Sequence, residues 1–222
     1  MIGVPGLRWA VSGRADGNMG FTRAPDPEAV RAARRRFLSR EGMDPAAAVS
    51  VLQVHGSRVL PAGPAERGRL LGEADGLVTA TRGLPLLVLS ADCCVGVVAA
   101  ADGRALGVFH AGWRGARAGA PAATAAALTR EFGVPPGQMR AVLGPAIGPC
   151  CYEVGEEVAR EFPASMAGTH LDLPGAVRAG LVGAGVPPAA VSPAGPCTLC
   201  GEGWFSHRRG DPERQVLAAM LA

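Results

Sequence analysis

The strongest constraint on the fold is an Asp-Gly dipeptide between two apolar runs. Residues 94–100 read CVGVVAA and residues 104–109 read RALGVF, and Asp102-Gly103 lies between them. Asp-Gly in this setting is the strongest short-range signal for a β-hairpin, because both central residues of the tight turn need positive φ. The sequence therefore predicts two antiparallel strands joined by a two-residue turn at Asp102 and Gly103.

Such a turn determines which residues of the two strands face each other. It places His110 opposite Val95 and Cys93 opposite Gly112. Because side chains alternate between the faces of a sheet, Cys93, Val95 and His110 share one face and Cys94 points to the other. Cys93 and His110 are then diagonal neighbours at the open end of the hairpin, within reach of one small ion. A bulge or a longer loop could select Cys94 instead.

His55, Cys93 and His110 form a candidate set of metal ligands. They are separated by 38 and 17 positions along the chain, which is too far for the paired ligands of a zinc finger. Three protein ligands would leave one tetrahedral position open, as in catalytic zinc sites. Taken singly, His55 also fits a surface histidine and Cys93 a small buried apolar residue. Asp92 is either a carboxylate that orients a ligand or one that stabilises a turn.

Two loops carry arginines that suit an anion. Residues 112–117 read GWRGAR before a predicted helix, where free N–H groups and Arg114 could bind a phosphate near the candidate metal. Residues 205–210 read FSHRRG, so His207 and Arg208 form a second possible oxyanion contact. Exposed arginines on ordinary turns are the alternative in both places.

Composition limits the classes of protein that need to be considered. The 222 residues predict one catalytic domain over 1–222. Neither a membrane-spanning apolar segment nor a signal peptide is visible, so we expect a cytoplasmic protein without a membrane partner. A net charge of +3 gives no reason to expect nucleic acid. All 22 basic residues are Arg, which excludes a Schiff-base lysine and a P-loop lysine. We expect a monomer or a small homo-oligomer.

The six cysteines are Cys93, Cys94, Cys150, Cys151, Cys197 and Cys200. All occur in adjacent or C-x-x-C pairs, and a cytosolic location would keep them reduced. Cys197-Thr-Leu-Cys200 matches a zinc or thioredoxin-type motif. A second C-x-x-C is missing, however, and the adjacent Cys150 and Cys151 do not have that spacing. Packed thiols are therefore favoured over a metal at this motif.

The remaining elements mix helices and strands. Asp26 is a good N-cap with Pro27 at the first helical position, which predicts a helix to about Glu41. Further predicted helices span 116–132, 154–162 and 174–185, and predicted strands span 7–12, 49–54, 76–80, 84–91 and 139–143. Residues 214–221 fit either a strand or a helix.

Several motifs together resemble those of the YfiH-like family, also called the multicopper polyphenol oxidase or laccase-domain family. They are Q53-V-H-G56, A74-D-G-L-V-T79, A91-D-C93, H110-A-G-W-R-G115, G144-P-A-I-G-P-C-C-Y-E-V-G155 and C197-T-L-C with F205-S-H-R-R209. The resemblance implies an α+β fold, in which mixed sheets form a layered sandwich with flanking helices, related to cysteine-hydrolase-like toxin domains. After A-D-C the family usually has an apolar residue and Pro, whereas this chain has Cys94-Val95-Gly96.

The resemblance also implies an activity and a site. It implies phosphorolysis of adenosine, inosine and methylthioadenosine, together with deamination of adenosine. Zinc would be bound at His55, Cys93 and His110, and Arg14 and Asn18 would contact the substrate. Our own hypothesis from the two arginine-containing loops adds Arg114 to Cys93 and His110 as a catalytic residue that binds phosphate, with His207 and Arg208 as further substrate contacts.

Other enzyme classes remain open at this stage. A multicopper oxidase needs a trinuclear copper cluster in addition to a His₂Cys centre, and the chain has only four His, so copper is less suitable than zinc. A cysteine hydrolase would use Cys93 as nucleophile and His110 as base. A zinc-dependent amidase that acts on peptidoglycan precursors is a further alternative, and a non-enzymatic binding module fits the open site least well.

Overall fold

Two five-stranded mixed sheets form the centre of the computed structural model, which describes residues 3–22 and 24–222. The first sheet has the strand order β1-β10-β6-β2-β4, and the second has the order β3-β5-β8-β7-β9. The strands are β1 Leu7–Val11, β2 Val49–Leu52, β3 Val59–Pro61, β4 Leu70–Glu73, β5 Gly76–Thr79, β6 Leu86–Ser90, β7 Cys94–Ala100, β8 Leu106–Ala111, β9 Met139–Leu143 and β10 Gln215–Leu221. Each sheet contains both parallel and antiparallel pairs.

The described residues form five α-helices beside the sheets: α1 Pro27–Arg40, α2 Trp113–Arg117, α3 Ala120–Phe132, α4 Glu156–Ala159 and α5 Leu173–Gly183. Helix α1 begins as the sequence predicts, because the Asp26 side chain accepts hydrogen bonds from the N–H groups of Glu28 and Ala29. Within the described parts of the chain, no helix has the length and apolar character needed to cross a membrane.

Apolar contacts arrange these elements in four layers. The two sheets pack face to face through residues such as Val88 of β6, Val97 of β7 and Val108 of β8. Helix α1 covers the outer face of the first sheet through Phe37. Helices α3 and α5 cover the outer face of the second sheet, with Leu128 among the buried contacts. The predicted α+β sandwich of mixed sheets with flanking helices is therefore confirmed.

The predicted hairpin forms with the predicted register but with a different turn. Val95 pairs with His110 along β7 and β8, as the sequence predicts. The two-residue turn is wrong, because Asp102 is not among the described non-glycine residues with positive φ. Instead, Ala100 N–H donates to Ala105 O, so the loop contains four residues. The observed loop includes Ala101 and Arg104 as well as Asp102 and Gly103, one more residue on each side than the predicted turn. The pairing of the strand residues is therefore the same as predicted.

Other predicted boundaries were wrong for local reasons. The helix predicted over 116–132 is divided between α2 and α3, because Gly119 has a φ of 81° and a new helix begins after it at Ala120. The helix predicted over 154–162 is a single turn at Glu156–Ala159. Residues 214–221, which the sequence left undecided, contain β10 in the interior of the first sheet. Strands β3 and β4 were not predicted.

Candidate metal centre

The open end of the β7–β8 hairpin brings His55, Cys93 and His110 together. One ligand atom from each lies within 4.8 Å of the other two. The rings of His55 and His110 are nearly perpendicular, at 75°, with centroids 4.9 Å apart. His55 follows β2 with a φ of 61°, Cys93 precedes β7, and His110 is in β8. His110 is buried, Cys93 is half-buried and His55 is exposed, so solvent reaches the group from one side.

A fully buried carboxylate, Asp75, orients the two histidines. Its Oδ1 lies 2.8 Å from His110 Nδ1 and accepts the His55 N–H at 3.0 Å. Its Oδ2 accepts the N–H groups of Gly56 at 2.6 Å and Val54 at 3.2 Å. With Nδ1 of His110 donating to the carboxylate, Nε2 is left with the lone pair that a metal needs. Asp75 therefore fixes both the tautomer of one candidate ligand and the backbone that carries the other.

The ionised form of the Asp75 side chain is favoured although the residue is buried. Burial raises the pKa of a carboxyl, but the hydrogen bonds from His110 and Gly56 outweigh it and hold the pKa of Asp75 below its ordinary value. Asp75 was not among the predicted site residues, although it lies in the A74-D-G motif. The sequence feature that could have indicated it is an acidic residue immediately before strand β5. Strand β5 pairs with β8, the strand that carries His110.

The absence of a side chain at Gly112 makes room for the three ligands. A Cβ at this position would lie 2.8 Å from Cys93 Sγ and 3.2 Å from His55 Nδ1. Gly112 is also the N-cap of α2. The backbone therefore forms one wall of the ligand group, and any side chain at Gly112 would enter it.

Cys93 and His110 stabilise each other's charged forms. Burial raises the pKa of a thiol, but the charge of His110, with hydrogen bonds from His110 and His55, brings the pKa of Cys93 from 9.0 to about 6. Burial lowers the pKa of an imidazole, but the Cys93 thiolate and Asp75 raise the pKa of His110 to about 9. Without a metal, the pair is therefore a thiolate and an imidazolium at neutral pH. The thiolate is the form of cysteine that binds metal.

The ligand types and their spacing fit a zinc ion. Tetrahedral zinc holds nitrogen and sulfur ligands about 3.3–3.7 Å apart, given bonds of about 2.0–2.3 Å. The present spacing of up to 4.8 Å therefore requires only a small closure. Two imidazoles and one thiolate also suit copper, so the ligand types alone leave the identity of the metal undetermined.

Asp92 stabilises turns and does not contact a ligand histidine. Its carboxylate accepts Thr198 Oγ1 at 2.6 Å, Ser206 Oγ at 3.0 Å and the Arg208 N–H at 2.7 Å. Its own φ is 83°, a conformation that aspartate tolerates better than most residues. Of the two roles considered for Asp92, the contacts match the second. The residue before Cys93 thereby holds the FSHRRG loop beside the site.

Tyr152 is affected by the charges of both the metal centre and the candidate anion-binding arginines. Burial and the Cys93 charge raise the pKa of Tyr152, and the charges of Arg208 and Arg114 oppose this rise. The Arg208 guanidinium carbon lies 5.3 Å from the Tyr152 ring centroid. The guanidinium carbon of Arg114 lies 4.1 Å from the ring of Trp113. Sequence analysis did not single out Tyr152, the only tyrosine of the chain.

A cleft of about 1070 Å³ opens beside the three ligands. His55, Cys93 and His110 lie in its wall, and Phe21 and Arg34 lie in the part formed by α1 and the segment before it. The Arg34 guanidinium carbon lies 4.5 Å from the Phe21 ring centroid. A cleft of this size accommodates a small organic molecule such as a nucleoside.

The predicted substrate-binding residues occupy different positions around this cleft. His207 is part of its wall, whereas the described lining includes neither Arg208 nor Arg114. Arg14 is paired with Asp211, and Asn18 accepts the N–H groups of Gly20 and Arg214. The side chains of Arg14 and Asn18 therefore organise loops, and their contact with substrate stays a prediction.

Comparisons with known proteins support the resemblance. Residues 10–221 match the family described as multi-copper polyphenol oxidoreductase laccase. "Purine nucleoside phosphorylase ORF3" of Streptomyces griseus is 37% identical over 202 residues, covering 86% of this chain and 81% of that protein. "Purine nucleoside phosphorylase Cgl2154/cg2365" of Corynebacterium glutamicum is 34% identical, covering 90% of this chain and 84% of that protein.

Solved structures show the same fold. YlmD from Geobacillus stearothermophilus superimposes with a TM-score of 0.91 at 27% identity, covering 97% of this chain and 92% of that chain. The hypothetical protein YfiH of Bacillus licheniformis gives a TM-score of 0.85 at 27% identity, covering 92% and 85%. Sequence and fold thus agree over nearly the whole chain, which belongs to the multi-copper polyphenol oxidoreductase laccase family, the YfiH-like family that its motifs resemble.

Proposed function

We propose that this protein is a zinc-dependent purine nucleoside phosphorylase that acts on adenosine, inosine and methylthioadenosine and also deaminates adenosine. The observation that carries the proposal is an open three-ligand His-Cys-His group in the wall of a cleft large enough for a nucleoside. Relatives named purine nucleoside phosphorylase support the same class of reaction. In this proposal Cys93 and His110 hold the metal, and Arg114 binds phosphate close to it.

In phosphorolysis, a phosphate oxygen forms a bond to C1′ of the ribose as the bond from C1′ to the purine N9 breaks. The electron pair of that bond leaves with the purine, which takes up a proton, and ribose 1-phosphate is the second product. When bound, zinc would supply Lewis acidity, which would hold and orient an anionic or electron-rich group of the reactants beside the three ligands. Arg114 and Arg208, whose charges act on the same tyrosine, would hold the phosphate, and His207 would contact the nucleoside from the cleft wall.

The residues of the chain perform three tasks in this proposal. Asp75 keeps the Nδ1 proton on His110, so that Nε2 stays available to the metal. Gly112 keeps the position in front of Cys93 free of a side chain. Tyr152, whose pKa is affected by the charges of Arg208 and Arg114, would interact with the phosphate or with the leaving purine.

Deamination of adenosine uses the same cleft but a different nucleophile. Water adds to C6 of the purine, ammonia leaves, and inosine is formed, so phosphate is not consumed. The open side of the metal group supports this second activity, because catalytic zinc sites keep a position for water.

A cysteine hydrolase is the second candidate, because Cys93, His110 and Asp75 form a Cys-His-Asp arrangement. His110 contacts the Cys93 thiol on one side and Asp75 on the other, as in enzymes with a cysteine nucleophile. A zinc-dependent amidase on peptidoglycan precursors would use the same residues. Copper-dependent polyphenol oxidation has less support, because the only cluster of possible ligands that contains histidine in the described residues has three members.

One experiment separates these functions. Purified protein is analysed for metal and incubated with adenosine, with and without phosphate, while adenine, inosine and ribose 1-phosphate are quantified. The proposal predicts ribose 1-phosphate only with phosphate, inosine in both conditions, and loss of both products after chelation. Cys93→Ala should lose the metal of the His-Cys-His group and both activities, whereas Cys94→Ala should keep them. Cleavage of nucleosides by metal-free Cys93→Ala protein would refute the metal-dependent mechanism, and inactivation by alkylation without an effect of chelation would favour the hydrolase.

A further inference from the structure

A second group of possible metal ligands lies outside the His-Cys-His site. Cys150, Cys151, Cys197 and Cys200 place their sulfur atoms within 4.8 Å of one another. They come from two segments that are distant in sequence. All four are free thiols in this structure, and Cys150 and Cys200 are exposed. None of the proposed catalytic steps uses them.

The local backbone directs N–H groups at the sulfur of Cys197. The N–H of Gly148 donates to Cys197 Sγ at 3.3 Å, and the N–H groups of Leu199 and Cys200 also point to this sulfur. Cys197 O accepts the Gly201 N–H at 3.0 Å, and a Cβ at Gly201 would lie 2.5 Å from that oxygen. A C-x-x-C-G turn whose N–H groups converge on its first sulfur is the form of turn that supplies two thiolates to one metal ion.

We infer that these four cysteines bind a structural zinc ion. Zinc–sulfur bonds of about 2.3 Å place the sulfurs of a tetrahedral site about 3.8 Å apart. Cys150 Sγ and Cys200 Sγ are 3.8 Å apart, far beyond the roughly 2.05 Å of a disulfide. Four thiolates leave no position open, which is the arrangement of structural zinc sites, whereas the His-Cys-His group is open.

A neighbouring arginine offsets the charge of such a site. Zn²⁺ with four thiolates carries two negative charges, and solvent reaches the site because two of the cysteines are exposed. The Arg209 guanidinium donates to Leu199 O at 2.8 Å and to Thr198 O at 3.4 Å, so its positive charge lies on the turn that provides two of the ligands. Second-sphere hydrogen bonds and charge of this kind are expected around a zinc–thiolate centre.

The proposed zinc would join two segments that border the metal centre. Cys151 precedes Tyr152 on one segment. On the other, Cys197 precedes Thr198, whose hydroxyl donates to Asp92. In the metal-free fold these segments are joined by the Thr198 N–H to Ala146 O bond, at 3.1 Å, and by the Gly148 N–H to Cys197 sulfur contact. A bound ion adds bonds at the same point, so its main effect is on stability.

The test uses the full-length protein, expressed with zinc and purified under reducing conditions. Wild-type protein should contain about two zinc ions per chain, and Cys197→Ser/Cys200→Ser should contain about one. Cys94→Ala is the matched control, because it removes a cysteine outside both groups and should retain both ions. The double variant should unfold at a lower temperature than the wild type, and that difference should vanish when both proteins are stripped of metal.

A second measurement decides the question even if the double variant fails to fold. His55→Ala/Cys93→Ala removes the His-Cys-His group and leaves the four cysteines intact. Cobalt added to this variant should give the intense visible bands of tetrahedral cobalt with four thiolates, and zinc should displace it. Four-thiolate bands support the inference. Equal zinc content in wild type and folded Cys197→Ser/Cys200→Ser, disulfides in the purified protein, bound iron in place of zinc, or cobalt spectra without thiolate bands would each overturn it.

Discussion

Replacing Asp75 with Asn changes the metal centre without changing its shape. The carboxylate receives four donors: His55 N–H and His110 Nδ1 at Oδ1, and Val54 N–H and Gly56 N–H at Oδ2. An amide whose nitrogen takes the Oδ1 position donates to His110 Nδ1 and leaves the His55 N–H without an acceptor, while its oxygen still accepts from Val54 and Gly56. A buried group left without a partner costs about 1–3 kcal/mol, which predicts a loss of about 1–3 kcal/mol in unfolding free energy.

The effect on metal affinity depends on the same hydrogen bonds. When the amide nitrogen occupies the Oδ1 position, it donates to His110 Nδ1, and the proton of the imidazole moves to Nε2, where it blocks the metal. Loss of a carboxylate behind a ligand histidine lowers metal affinity by about 10–100-fold. We therefore expect Asp75→Asn to bind zinc about 10–100-fold more weakly in a chelator competition, and to lose stability in denaturant titrations of the metal-free protein.

Asp92→Asn is the matched control. Asp92 is also buried and accepts three hydrogen bonds, two of them from the hydroxyls of Thr198 and Ser206. Hydroxyls can rotate and accept from an amide, so this variant should lose less stability and keep its affinity for zinc. If Asp75→Asn binds zinc as tightly as wild type, or if both variants weaken zinc equally, Asp75 does not orient the ligand as we infer.

Three further predictions test other parts of the site. Gly112→Ala should weaken zinc binding by at least about tenfold, because its Cβ would lie 2.8 Å from Cys93 Sγ. Gly72→Ala is the control, because the space around Gly72 is open, and it should leave zinc affinity unchanged. Isothermal titration of zinc measures both variants. Arg114→Ala should raise the KM for phosphate and spare deamination in steady-state assays, while Arg117→Ala, which removes an exposed ion pair, should leave both unchanged. Metal-free protein should be alkylated at Cys93 at neutral pH, and the alkylation rate should fall as the pH drops through about 6, because the thiolate is protonated there. A rate profile with its midpoint near pH 9 would contradict the charge pairing of Cys93 with His110.

Local signals in the sequence were sufficient for the elements that begin with a cap or a turn. The start of α1 follows from Asp26 and Pro27, and β9 was predicted within its observed bounds. The break between α2 and α3 was missed because the Ala-rich pattern continues through Gly119, whose φ of 81° interrupts the helix. Strands β3 and β4 are short and lie at the edges of their sheets, so they have little of the alternating apolar pattern that marks a strand.

The site was predictable in part, for a physical reason. The hairpin register brings Cys93 and His110 together through local rules alone. His55 was supported only by the family resemblance, and Asp75 was missed, because both depend on how loops from different strands fold against one another. The hydrogen bonds from the 54–56 backbone to Asp75 are contacts between segments about 20 residues apart. No periodicity within a single element records such a contact.

The choice between Cys93 and Cys94 shows why the register mattered more than the turn. The loop is longer than predicted by one residue on each side. The strand pairing is therefore the predicted one, and every side chain points to the predicted face of the sheet. Cys94 packs among the buried residues on the helix-covered face of the second sheet, where burial and the neighbouring Cys93 charge raise its pKa far above the ordinary value. A single extra residue would have exchanged the faces of the two cysteines and placed Cys94, in place of Cys93, beside His110. The parity of the loop therefore decides which of the two adjacent thiols reaches the metal centre, whereas the length of the loop does not.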